Sequence, residues 1–291
     1  MQKIKYNKSQ GWFNGFIGVV LFSGSLPATR IAVLEFNPIF LTTARATIAG
    51  ILALVVLLFF KAKIPTKKQI LPLAIIAVGV VVGFPLLAAL ALQHITSAHS
   101  LVFIGLLPIA TAVFGIIRGG ERPLPIFWLF SIMGSLLVVG FAAAQGLTTS
   151  LLGDLLMVAA IILCALGYAE GAKLTKALGG WQVISWALLL SLPVMVPLLF
   201  FYIPSSYEGI SGSAWLSLGY VSVFSMFVGF VFWYRGLAQG GTATVGQLQL
   251  LQPFLGLTLA ASLLNEKVSM SMLGVTLGVI LCVAGTKKFV K

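Results

Sequence analysis

Ten apolar runs follow one another along this chain with only short polar breaks between them. They are Trp12–Ala32, Pro38–Phe60, Ile70–Leu92, Leu101–Ile117, Leu124–Ala144, Gly153–Leu174, Trp181–Tyr202, Ala214–Arg235, Thr242–Leu264 and Met270–Ala284. A helix that crosses the hydrocarbon of a bilayer needs about 20 such residues. Membrane strands would alternate every second residue, and these runs do not. The breaks leave no room for a soluble domain. Composition agrees: 8% of the residues are charged and 59% hydrophobic, whereas soluble domains carry about 25% charge. Lys3, Lys5 and Lys8 stand before the first run as in a signal peptide. That run is of full spanning length and leads straight into the next, so an uncleaved signal-anchor is expected. The expected fold is an all-α polytopic membrane protein with ten transmembrane helices.

The basic residues orient it. With the N-terminus inside, fifteen of the 18 Lys and Arg fall on the inner side: Lys3, Lys5, Lys8, Lys61, Lys63, Lys67, Lys68, Arg118, Arg122, Lys173, Lys176, Arg235, Lys287, Lys288 and Lys291. Arg30 and Lys267 fall outside, and Arg45 lies within a run. An excess of this kind in short loops marks the cytoplasmic face. The net charge of +12 is therefore an orientation signal, and no nucleic-acid partner is expected. Both termini are expected in the cytoplasm, with the protein in a bacterial inner membrane.

A ruler repeats along the chain. Ala98, Pro108, Glu121 and Gly140 recur 145 positions later as Ala243, Pro253, Glu266 and Gly285, and a basic residue (Arg122, Lys267) follows each glutamate. Such repetition predicts a duplicated unit: a tail over 1–11, a first five-helix repeat over 12–145, a second over 153–286 and a basic tail over 287–291. Each half has an odd number of spans, so the second enters the membrane upside down. Inverted halves are a frequent basis of carriers, which rock one half against the other around a midplane site.

Several residues within the runs could carry chemistry. Ser23-Gly24-Ser25-Leu26-Pro27 can interrupt the first helix, since Pro27 cannot donate to the helix ladder. Either a broken helix facing a cavity or a packing kink would result. Phe22, Phe84, Phe103, Tyr168, Phe230, Trp233 and Tyr234 could form aromatic walls. Gln247, Gln249 and Gln252 precede Pro253; helical spacing puts Gln249 and Gln252 on one face and turns Gln247 away. Amides there serve as helix-to-helix glue or as cavity lining. The substrate-binding set is Phe22, Ser25, Phe103, Tyr168, Phe230, Trp233, Gln249 and Gln252. The hinge set is Pro27, Pro108, Glu121, Pro253 and Glu266. Arg45 is read as snorkelling to the headgroups or pairing with Glu35, Glu170 as pairing with Lys173 one turn on, and His94 and His99 as solvated. Gly274-x-x-x-Gly278 permits a close helix contact within one chain or between two, so monomer and homodimer both stay open.

Some chemistries have no residues to carry them. There is no His-Glu-x-x-His run and no Gly-rich phosphate loop, and no acidic residue near the middle of a run. No catalytic residue, metal or cofactor is expected, and the protein is read as a non-enzyme. Cys164 and Cys282 fall within apolar runs and are read as free thiols.

The pattern Ala98…Leu107-Pro108…Gly120-Glu121-Arg122…Gly134, with its copy Gln252-Pro253…Asn265-Glu266-Lys267…Gly274, resembles the paired EamA domains of the drug/metabolite transporter superfamily. Arg30, Pro38, Arg45 and Leu52 fit the first half of the pattern, and Lys173 with Trp181 its second copy. The resemblance spans about residues 11–286. It implies a ten-helix inner-membrane carrier with inverted halves and a cavity formed by spans 1, 3, 4, 6, 8 and 9. It further implies an exporter of small metabolites such as amino acids or related amphiphiles, with the lipid bilayer and a small-molecule substrate as partners. A lipid scramblase or another membrane-embedded non-carrier is the alternative. The chain lacks the mid-span acid that the cation-exporting small multidrug relatives carry.

Overall fold

In the computed structural model, residues 8–144, 150–256, 258 and 270–288 are described. Glu266 and its hinge neighbours Asn265 and Lys267, with the end of the ninth apolar run, lie outside these residues. The described residues are helical, with no strand among them.

The helices, in order, are α1 (Lys8–Ser23), α2 (Ser25–Val33), α3 (Pro38–Phe59), α4 (Lys67–Ile76), α5 (Phe84–His94), α6 (Ser97–Ile104), α7 (Leu107–Gly119), α8 (Pro125–Ala144), α9 (Leu151–Leu178), α10 (Gly180–Phe201), α11 (Gly212–Tyr220), α12 (Gly229–Gly240), α13 (Thr242–Gly246) and α14 (Met270–Lys288). A π segment, Ala77–Gly83, fuses α4 to α5, and another, Val221–Val228, fuses α11 to α12. Counting such fusions, six helical rods are long and apolar enough to cross a membrane: Ser9–Val33, Pro38–Phe59, Lys67–His94, Leu151–Leu178, Gly180–Phe201 and Gly212–Gly240. Their outward side chains are apolar, as at Leu58 and Phe59 on α3 and Phe200 and Phe201 on α10. So much exposed apolar surface suits hydrocarbon rather than water. The chain is a multi-pass membrane protein.

Local sequence sets the ends of these rods. Asn37 caps α3 by accepting from the Ile39 amide at 2.8 Å, with Pro38 in the first turn where its missing N–H costs nothing. Ser150 caps α9 and Ser211 caps α11 in the same way, each at 3.2 Å. Gly120 closes α7 in the left-handed conformation, φ 68°.

Element positions repeat as the sequence ruler does. Helices starting at Lys67, Ser97 and Pro125 have counterparts starting at Gly212, Thr242 and Met270, each 145 residues on. The two π segments occupy matching places. The interruptions match as well. The run expected as one helix over Leu101–Ile117 breaks after Ile104, just before Pro108, and the run from Thr242 passes into a 3₁₀ segment, Gln247–Leu251, just before Pro253. A proline lacks the N–H for the preceding turn and its ring crowds it.

The two halves of the chain pack into each other. α1 lies along α12, α2 along α11, α3 along α10, α5 and α7 along α9, and α8 along α14. The α1–α12 contact is made backbone to backbone. A Cβ on Gly236 would lie 2.6 Å from the Gly15 amide nitrogen, so small residues are what lets these helices meet. Gly274, by contrast, has no neighbour among the described residues within 4 Å on the side a Cβ would occupy, and among them Gly278 meets only the Leu137 side chain. Among the described residues, the Gly274-x-x-x-Gly278 pattern makes no backbone contact of the α1–α12 kind.

Candidate functional site

α1 does not run on into α2. Its helix ends at Ser23, Gly24 intervenes, and α2 begins at Ser25. Pro27 has no N–H to offer the Ser23 carbonyl. Polar groups from the second half meet the break: the Tyr220 hydroxyl donates to the Leu21 carbonyl at 2.8 Å, and the Gln252 amide donates to the Phe22 carbonyl at 3.2 Å. These two contacts tie the interrupted turn to the second half of the chain.

A cavity opens beside the break. The first half contributes Phe22, Ser25, Leu26, Thr29, Arg45, Val80, Phe84, Pro85, Ala88, Ile104 and Leu107; the second contributes Tyr168, Ser225, Phe230 and Gln252. Both π segments reach it, through Val80 and Ser225. Such widened turns are frequent at functional sites.

One wall is aromatic. Phe22 and Phe230 have ring centroids 5.0 Å apart, and Tyr168 stands edge-on to Phe230 at 6.0 Å. Trp233 backs them, 5.4 Å from Tyr168 and 6.1 Å from Phe22. Tyr234 stands 5.3 Å from Phe230. Tilted and edge-on pairs of this kind each add about 0.5–1.5 kcal/mol beyond burial alone. Another part of the lining is polar. The Ser25 hydroxyl donates to Ser225 Oγ at 2.7 Å, and the Arg45 guanidinium donates to the same oxygen at 3.4 Å.

Five of the eight residues expected at the site line the cavity: Phe22, Ser25, Tyr168, Phe230 and Gln252. The other three do not. Trp233 is fully buried and stands behind the rings it was grouped with. Phe103 lies on α6, which the break after Ile104 separates from α7, and it stacks on His99 at 5.8 Å. Gln249 is fully buried in the 3₁₀ segment, with its side-chain amide against the Tyr168 hydroxyl. Gln247, expected to turn away, is fully buried too and donates to the Pro108 carbonyl at 3.5 Å and the Ala243 carbonyl at 3.4 Å.

Among the hinge residues, Glu121 has a defined task. Its carboxylate accepts from the amides of Thr242 at 2.6 Å and Ala243 at 2.7 Å. It thus caps the N-terminus of α13, in the opposite half of the chain, where a negative charge is favoured. Pro108 opens α7 and Pro253 opens the helical stretch 252–256.

Four readings of single charged or polar residues are corrected. Glu35 pairs with Ser211, whose hydroxyl and amide both donate to it at 2.6 Å. Arg45 is therefore not its partner, nor does Arg45 snorkel: it is 6% exposed. Glu170, also buried, pairs with Arg118 on α7 rather than with Lys173. His99 is 5% exposed, with Nε2 3.0 Å from Asp154. In each case the partner comes from an element distant in sequence. The sequence reading left out two polar site residues, Ser225 and Arg45. The signal of Arg45 was a lone basic residue inside an apolar run, flanked by Thr42, Thr43 and Thr47.

A family model described as the EamA-like transporter family matches residues 9–142 and again residues 151–287. The chain belongs to this family. The EamA-like chain is 63% identical over 283 residues to a Bacillus subtilis (strain 168) protein named "Uncharacterized transporter YdeK", covering 97% of this chain and 99% of that one. A solved structure titled "Crystal structure of protein" superposes with a TM-score of 0.80 at 18% identity, covering 96% of this chain and 99% of the other. That likeness concerns the fold alone. The EamA-like assignment places the chain in the drug/metabolite transporter superfamily and supports a transporter role.

Proposed function

We propose that this protein is an exporter of small metabolites, such as amino acids or related amphiphiles, working by alternating access. In this reading ten spans form two five-helix units, 12–145 and 153–286, inserted in opposite orientations in the inner membrane, with both termini in the cytoplasm. The observation that carries it is the cavity at the meeting of the two halves, walled by rings and hydroxyls from both. A carrier needs its site there, because movement of one half against the other then exposes it to each side in turn. Ligand pockets are of this kind, mostly apolar with a few convergent polar groups.

The test is flux in proteoliposomes. Tyr168→Ala and Phe230→Ala strip the aromatic wall and are expected to lower counterflow of an accepted aromatic amphiphile at least tenfold, with normal expression and monodispersity. Undiminished flux in both variants would remove the site assignment.

A further inference from the structure

Arg45 lies in the cavity wall without a carboxylate partner among the described residues. Of the six acidic residues, Glu35 is held by Ser211, Glu121 by the α13 amides, Asp154 stands against His99 and Glu170 against Arg118. Glu208 is exposed, and Glu266 lies outside the described residues. Among the described residues, the guanidinium of Arg45 keeps one long hydrogen bond, to Ser225 at 3.4 Å, and its Nε has no acceptor. Burying a cation with so little compensation is costly unless an anion joins it.

Everything else in the wall suits the rest of such an anion. No acidic side chain lines the cavity among the described residues, so a cationic group would meet only positive charge there. Ser25 and Ser225 set two hydroxyls beside the guanidinium, and Phe22, Phe84 and Phe230 offer an apolar surface. A planar guanidinium matches a carboxylate with two parallel hydrogen bonds.

We propose that the cavity binds a small organic carboxylate with an apolar body, its carboxylate on Arg45, Ser25 and Ser225 and its body against the rings. This rests on the carrier reading for its location and narrows the substrate to a monoanion, in preference to a zwitterion or an amine.

Isothermal titration of the full-length detergent-purified protein tests it with phenylacetate, phenylacetamide, phenethylamine, L-phenylalanine and acetate. Phenylacetate should bind at least about tenfold tighter than each of the others, as expected for one charge-assisted contact added to apolar burial. Equal affinity for phenylacetamide or L-phenylalanine would overturn the monoanion, and equal affinity for acetate would overturn the apolar body. The wild-type comparison needs no variant to fold. Arg45→Gln should abolish the preference for phenylacetate over phenylacetamide, Arg45→Lys should keep part of it, and the exposed Lys176→Gln should keep all of it. A preference that survives Arg45→Gln overturns the assignment. Flux of the same compounds separates the two readings. Transport of phenylacetamide independent of Arg45 sinks the carboxylate site and leaves the carrier. Tight phenylacetate binding with no compound crossing does the reverse.

Discussion

At the residue scale, two carboxylates hold helix ends across the halves of the chain. Glu121 takes both amides at the start of α13. An amide in its place can accept through only one atom, so Glu121→Gln forfeits a charge-assisted bond. The expected destabilisation is about 1–3 kcal/mol, read as a lower melting temperature in detergent, and Glu121→Ala should cost at least as much. The second carboxylate, Glu35, is held below its ordinary 4.5 by the Ser211 hydroxyl first and the Ser211 amide second. A depressed carboxyl contributes stability above its unfolded value and loses it as pH falls through the folded one. Wild type should therefore exceed Glu35→Gln in thermal stability at pH 7. The difference should close as pH drops below about 4.5; an unchanged gap in acid would refute the contact. Glu121 was legible as a helix-end residue from its place beside a turn. Its partner was not, because the α13 amides lie 121 positions away in sequence. Arg45 was visible as an oddity, but its freedom from Glu35 depended on Ser211, which no local pattern connects to it.

At the scale of elements, the apolar runs and their order were plain in the sequence, because spanning length and the scarcity of charge admit few other readings. What interrupts the helices was less plain. Pro27 announced one break through its missing N–H, whereas the interruptions before Pro108 and Pro253 fall within runs expected as single helices. The π segments Ala77–Gly83 and Val221–Val228 carry no proline; extra residues per turn depend on what the helix packs against. The cavity's polar wall was half hidden for this reason, since Ser225 sits in such a segment. The α1–α12 contact gives a prediction of its own. Gly236→Ala would push a methyl group against the Gly15 backbone, which cannot yield as a flexible side chain could. It should lower thermal stability and monodispersity, while Gly274→Ala, which meets no described residue at that point, should leave both unchanged. Equal behaviour of the two variants would contradict the packing.

At the scale of the molecule, the doubling was legible from four marker residues, and the positions of helix starts repeat with the same interval. The proposed opposite insertion of the two units rests on odd span counts and the distribution of basic residues. Single cysteines placed at Arg122 and Lys267 in an otherwise cysteine-free protein test it directly. An impermeant thiol reagent added to intact cells should label the second and spare the first. Labelling of both from one side would end the inverted arrangement and, with it, the rocking mechanism. The identity of the cargo was not legible, since the cavity's chemistry comes from side chains contributed by many separate helices.

The buried arginine has no counterpart in the second unit. The matching stretch of α10, residues 187–190, reads Ala-Leu-Leu-Leu. Two identical units facing each other would have to bring a pair of guanidiniums into one narrow space, repelling each other and demanding a dianion. Joining the units in a single polypeptide removes that obligation. One half can carry the charge while the other stays greasy, and the binding chamber becomes lopsided enough to hold a molecule with a single charged end in one fixed direction.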